Sequence, residues 1–266
     1  MTTGSSYLLD NAGAQAPARL TALATMFDRS TTRHLLDRGV GAGWSCLGVG
    51  GGNGSIASWL AERTLPNGHV VATDLDTRFL ERLSLPNLDV RRHDIANDPL
   101  PESAFDLIHI RLVLVHLPQW KEVLQRLVAA LKPGGWLVDE EFDSESLPPD
   151  PVRSPGEVLL KAHAGTGRVM ADNGFDRRFG RLLFGRLRAA GLVDVGAEGR
   201  LTMLDRGSPG TSLIRANCEQ LRDAMVGAGY VTAEEVDRDI ARMDDADFMV
   251  PSSIIWTAWG RRPREK

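Results

Sequence analysis

Apolar residues follow two alternating rhythms from Trp44 to about Val138. Short runs rich in aliphatic and β-branched residues occur at 45–49 (SCLGV), 69–74 (HVVATD), 88–94 (LDVRRHD), 105–110 (FDLIHI) and 136–142 (WLVDEEF). Between the first two, Ile56, Ala57, Trp59 and Leu60 have helical spacing, and Pro66-Asn67-Gly68 turns the chain. A second helix spans Gln119 to Leu131 and stops at Lys132-Pro133-Gly134-Gly135, where proline and glycine cannot continue it. This βαβα order predicts a parallel sheet covered on both faces. After Gly191, LVDVGAEGRLTML and SSIIWTAWG read as two further strands with helices between them, one opened by a capping box at Thr232 and Glu235.

Two regions break the rhythm. Residues 1–40 are helical in pattern, and 143–184 opens on the proline-rich SLPPDPVRSP before a mixed helical stretch. Both are expected over the open ends of the strands, as lid segments of a single domain spanning 1–266. Met170, Phe175, Phe179 and Phe184 in or beside the insert suit an apolar acceptor cavity or a plain lid core.

Composition narrows the class. A chain of 266 residues with 42% hydrophobic residues buries a full core. Its net charge of −4 argues against a nucleic-acid partner, and the five arginines from Arg177 to Arg188 read as a solvated helix face. No apolar run is long enough to span a bilayer and the start lacks a signal-peptide pattern, so a cytoplasmic protein without a membrane partner, monomeric or homodimeric, is expected. Cys46 and Cys218 are too few for a disulfide framework or a zinc site, and no metal is expected.

The chemistry concentrates after the first strand, where five glycines fall between Gly48 and Gly54. Glycines let the backbone approach a ligand closely, and the helix that follows aims its N-terminal N–H groups at it. Asp74, about 20 residues on, stands where an acid meets ribose hydroxyls. A nucleotide-like cofactor is implied, and Gly52-x-Gly54-x-x-Ala57 keeps an NAD(P)-dependent oxidoreductase open.

Several motifs in order resemble the class I S-adenosylmethionine (SAM) dependent methyltransferases. Gly50-x-Gly52-x-Gly54 is similar to their first motif and VVATDLD to their second; RRHDI, FDLIHIRLVLVHLP and LKPGGWLV follow as in the family. The resemblance is strong over Trp44 to Glu141, and the wording of YLLDN and VDEEFD is closest to bacterial small-molecule methyltransferases of natural-product type. It implies a seven-stranded, mostly parallel Rossmann-like α/β sheet with an antiparallel last strand and a helical lid. It also implies SAM as cofactor with S-adenosylhomocysteine (SAH) as product, and a small-molecule acceptor. Asp74, followed by Leu75, would hold the ribose; Asp94 would hold the adenine amino group and Ile95 would pack on the ring. Arg111 is read as a partner of the SAM carboxylate or of an acceptor carboxylate, or as a structural ion pair with Asp139 or Glu140. Tyr7 closes over the cofactor or belongs to a mobile terminus.

An acceptor protonated at neutral pH gains from a general base. His116, just past the fourth strand, is the first candidate, against a reading in which it packs the next helix. His163 in the insert and Glu141 in the crowded acids at the end of the fifth strand follow, each against a solvated alternative. His109 reads as a core histidine. Position 48 usually holds Asp or Glu in the family, and here it is Gly48. Weaker cofactor binding, a compensating acid such as Asp76 or Glu140, or room for a bulkier group would each account for it. The expected function is methyl transfer from SAM to oxygen or nitrogen of a small, partly apolar metabolite. A non-methylating cyclase or isomerase and a non-catalytic SAM-binding protein are the other readings.

Overall fold

In a computed structural model, which describes residues 8, 9, 11, 13–145 and 160–264, the chain divides into two compact units. The larger holds 27–143, 176–200 and 254–266; the smaller holds 1–26, 144–175 and 201–253.

The larger unit is built on seven strands: β1 (Ser45–Val49), β2 (His69–Asp74), β3 (Leu88–Arg92), β4 (Phe105–Arg111), β5 (Leu131–Asp143), β6 (Val193–Arg200) and, at the end of the chain, β9 (Ile254–Arg261). Their order is β3-β2-β1-β4-β5-β9-β6, and only β9 runs antiparallel to its neighbours. Helix α2 (Ser55–Thr64) follows β1, α3 (Trp120–Ala130) precedes β5, and α5 (Phe179–Ala189) packs on β5 and β9. Leu60, Val70, Leu107 and Val138 form one apolar layer with Leu35 from the second half of α1 (Ala16–Asp37).

Strand alternation sorts the acids at the end of β5. Glu140 faces Thr31 of α1, whereas Asp143 lies on the other side and makes two 2.7 Å bonds with Arg181 of α5. Asp139, Glu140, Glu141 and Asp143 are all buried. The expectation of a solvated strand end is corrected here: β5 runs thirteen residues between β4 and β9, and helices cover both of its faces.

The smaller unit gathers α4 (Lys161–Asp172), α6 (Pro209–Gln220), α7 (Arg222–Gly227), α8 (Ala233–Arg242) and a ribbon of β7 (Met203–Asp205) with β8 (Met249–Pro251). Leu160, Val169, Leu204, Met225, Val236 and Phe248 are in its core. The capping box forms as read: Glu235 N donates to Thr232 Oγ1 at 3.2 Å and Thr232 N to Glu235 Oε2 at 2.9 Å.

The run LVDVGAEGRLTML, read as one strand, divides into β6 and β7, in different sheets. The insert end at 184 falls inside α5, and the boundary between units lies at Phe175. Phe179 is core of the larger unit, 5.5 Å edge-on to Trp120, and Phe184 is 41% exposed. Met170 packs against the core of the smaller unit. Arg181 keeps the exposed face expected of it while pairing with Asp143, whereas Arg186 leaves that face. Arg186 pairs with Asp176 at 2.8 Å and lies over the Phe179 and Trp120 rings.

Candidate functional site

Parallel strands carry their C-terminal ends to one edge of the sheet, and the strand order reverses between β1 and β4. A crevice at such a reversal is where open α/β sheets take ligands. The turn after β1, Asp74 ending β2, Asp94 just after β3 and Arg111 ending β4 all belong to that edge.

The turn needs its glycines. Gly50, Gly52 and Gly54 have φ of 68°, 55° and 82°, a region that L side chains rarely adopt, and a Cβ on Gly50 would collide with the Val113 side chain. Asp74 ties the turn to β2. Its Oδ2 accepts from Gly52 N at 2.9 Å and its Oδ1 from Asp76 N at 3.1 Å. Burial raises the Asp74 pKa, partly offset by those N–H bonds. Leu75 beside it is 51% exposed. Asp94 closes a turn of its own, accepting from Ala96 N at 2.9 Å and Asn97 Nδ2 at 2.7 Å. Ile95 is buried and its carbonyl accepts from Arg126.

Gly48 has an ordinary strand setting. A Cβ there would meet only the Val71 carbonyl oxygen, at 4.0 Å. The two acids named as compensation are engaged elsewhere: Asp76 pairs with Arg78 at 2.8 Å, and Glu140 is held by Thr31, His109 and Thr257.

Arg111 Nη1 donates to Asp28 Oδ1 and Thr31 Oγ1, both at 3.0 Å, so its ion pair is with α1 and not with Asp139 or Glu140. Sequence reasoning missed Asp28, because nothing local links α1 to the end of β4. His109 is a bonded core histidine, its Nε2 lying 3.1 Å from Glu140 Oε2. Burial works against the Glu140 charge, but the His109 and Thr31 bonds and the Arg111 charge outweigh it and pull the pKa down to about 2.

His116 ends a short 3-10 turn, Leu114–His116, and is half-buried. His163 is half-buried on α4 of the smaller unit, where its carbonyl accepts from Thr166 Oγ1 at 2.7 Å. Glu141 differs from the expected base: it is fully buried, and its Oε1 accepts the backbone N–H groups of Val113, Leu114 and Val115 at 3.0, 2.7 and 3.4 Å. Burial and the neighbouring Asp139 raise its pKa against those bonds. Tyr7 lies outside the described residues. Among the described residues no His, Cys, Asp and Glu group is arranged to hold a metal ion, and no helix is long and apolar enough to cross a membrane. Burial pushes both cysteine thiols up to about 12.

The family model described as a methyltransferase domain matches residues 47–137. Methyltransferase str3 of Strobilurus tenacellus is 31% identical over 146 residues, covering 54% of this chain and 51% of the relative. Methyltransferase str2 of the same organism is 26% identical over 212 residues, covering 79% and 76%. The chain thus spans about half the length of str3 and about three quarters of str2. Among solved structures, Haemonchus contortus phosphoethanolamine N-methyltransferase 2, in complex with phosphomonomethylethanolamine and S-adenosylhomocysteine, aligns with a TM-score of 0.63 at 14% identity, covering 99% of this chain and 61% of that one. With this match over 47–137, its strand order and its glycine turn tied to Asp74, the chain carries a segment similar to a methyltransferase domain on a sheet with the fold of the class I SAM-dependent methyltransferases.

Proposed function

We propose that this protein transfers a methyl group from SAM to an oxygen or nitrogen atom of a small, partly apolar metabolite. The observation that carries the reading is the carboxyl edge of the sheet, where a turn too tight for any Cβ at Gly50 adjoins the carboxylate of Asp74. That edge fits a nucleoside: bare backbone for close approach, one half-buried acid for ribose hydroxyls and a second, Asp94, for an exocyclic amine. When bound, SAM would supply an electrophilic methyl carbon on a sulfonium, whose leaving group is a neutral thioether.

The residues contribute position more than chemistry. Asp74, with Leu75 next to it, orients the ribose, Asp94 the adenine beside Ile95, and Arg111 the amino-acid carboxylate, while Gly50, Gly52 and Gly54 admit the backbone to close range. His116 takes the acceptor's proton as the attacking lone pair is freed, with His163 the next candidate. Glu141 is set behind both histidines as a base, since it is buried and its Oε1 is held by three backbone donors.

Thermal unfolding with ligand tests the cofactor, and label transfer tests the reaction. SAH at 100 times its dissociation constant should add about 2.7 kcal/mol of stability and NAD none. Methyl-labelled SAM should pass its label to a member of a panel of small phenols, amines and carboxylic acids. An equal shift with NAD would return the oxidoreductase reading, and SAH binding without any label transfer would favour a cyclase or a non-catalytic binder.

A further inference from the structure

We propose that Glu141 is a positioning residue for the cofactor turn: it clamps the 113–115 backbone from the neighbouring strand, and Val113 in turn braces Gly50. The proposal rests on the SAM-binding reading of the glycine turn, and it concerns only residues of the larger unit.

Three observations meet at this point. First, β4 leaves the sheet through an unfavourable conformation. Leu112 still donates to Glu140 O at 2.9 Å in the β4–β5 ladder, yet its φ is 56°, a left-handed value that a γ-branched residue adopts only where its surroundings hold it. Second, the next three amides, 113 to 115, converge on one oxygen, Glu141 Oε1. These donors follow β4 while the acceptor lies in β5, so the contact fixes the turn to the sheet and does more than end a helix. Third, the clamped turn meets the glycine turn directly: Val113 Cγ2 occupies the space a Cβ on Gly50 would need.

Gly50 follows β1 and Val113 follows β4, the two strands that flank the reversal of strand order. The brace therefore lies across the crevice in which the cofactor turn works. A side chain that touched only the 113–115 amides would cap a turn and nothing more. Here the capped turn carries the side chain that closes one side of Gly50, so its loss would free the glycine turn to leave its binding shape. A site competent for only a tenth of the time binds about tenfold more weakly. The acceptor oxygen serves equally as carboxylate, carboxylic acid or amide, so the clamp does not depend on the protonation of Glu141.

Competing anchors exist and set the controls. Asp176 N donates to Val115 O at 3.1 Å, and Leu114 and Val115 are buried, so the turn keeps partners when Glu141 is changed. A glutamine offers the same amide oxygen to the three N–H groups, whereas an alanine offers none.

The experiment compares wild type, Glu141→Gln, Glu141→Ala and Val113→Ala by hydrogen exchange without ligand and by SAH titration, at a temperature where each gives the near-UV spectrum of folded protein. In Glu141→Ala, exchange should quicken both at 113–115 and at 50–54, and SAH should bind about tenfold more weakly. Glu141→Gln should stay within about threefold of wild type, and Val113→Ala should weaken SAH and loosen 50–54 while leaving 113–115 protected. Faster exchange confined to 113–115, or an unchanged SAH constant in folded Glu141→Ala, reduces Glu141 to a turn cap and overturns the proposal. Should Glu141→Ala fail to fold, Val113→Ala decides alone: unchanged exchange at 50–54 refutes the brace. If wild type binds no SAH, the cofactor reading fails, and the exchange coupling between the two turns still tests the brace.

Discussion

At the scale of single residues, Asp74 and Gly48 make opposite statements about the cofactor. Asp74 is half-buried and already accepts two N–H bonds, and its remaining lone pairs suit two ribose hydroxyls. Asp74→Ala should weaken SAH by about 1.5–3 kcal/mol, read by titration calorimetry. Burial raises its pKa in the free protein, so affinity should decline on acidification from above the ordinary aspartate range. An affinity flat from neutral pH down to that range would place the ribose elsewhere. Gly48 leaves space for a side chain, and both acids that could compensate for a missing one have other partners. Gly48→Glu should then tighten SAH roughly 10–100-fold. A variant that binds no better would make Gly48 part of a rearranged pocket.

Elements show which parts of this architecture the sequence discloses. Local periodicity and turn chemistry carry β1 through β5, the helix stop at Pro133-Gly134-Gly135, the capping box and the glycine turn, because each is written within a dozen residues. What fails to show is which distant element covers a given face. The end of β5 reads as a crowd of solvated acids because nothing nearby announces that α1 and α5 cover it. The Glu141 clamp and the Asp28–Arg111 pair join residues 26–28 and 83 positions apart. The break between β6 and β7 is equally hidden, since an apolar run does not record a change of sheet. Helix α5 tests the covering role: Phe179 is 1% exposed, with Trp120 and the Arg186 guanidinium against its ring. Phe179→Ala should cost about 3–5 kcal/mol of unfolding free energy, measured by urea titration. A loss under about 1 kcal/mol would mean that α5 is held by its ion pairs alone.

For the whole molecule, the buried acids of β5 set a pH profile with two opposed arms. Glu140 is held down to about 2 in the folded state and returns to the ordinary glutamate value, 4.5, on unfolding. Its contribution is present in full above that value and is lost as pH falls toward about 2. Asp139 behaves in the opposite sense. Burial with the Glu140 charge lifts its pKa well above the ordinary 3.8, against the weaker pull of the Arg186 charge and the Glu140 N–H. Folding then favours the protonated acid, so its cost is absent in acid and grows as pH rises from about that value toward the raised pKa. Glu141, raised for the same reason, adds to this arm. Stability from these three groups should peak on the acid side of neutrality and decline in both directions. Urea midpoints collected from about pH 2 up through neutrality would trace the curve. Asp139→Asn should flatten the neutral arm and leave the acid arm in place, while Glu140→Gln should flatten the acid arm, at the expense of charge-assisted bonds to His109 and Thr31. An Asp139→Asn protein whose midpoint falls with pH as steeply as that of wild type would mean that Asp139 is already ionised, and that its burial is compensated by a partner beyond those described.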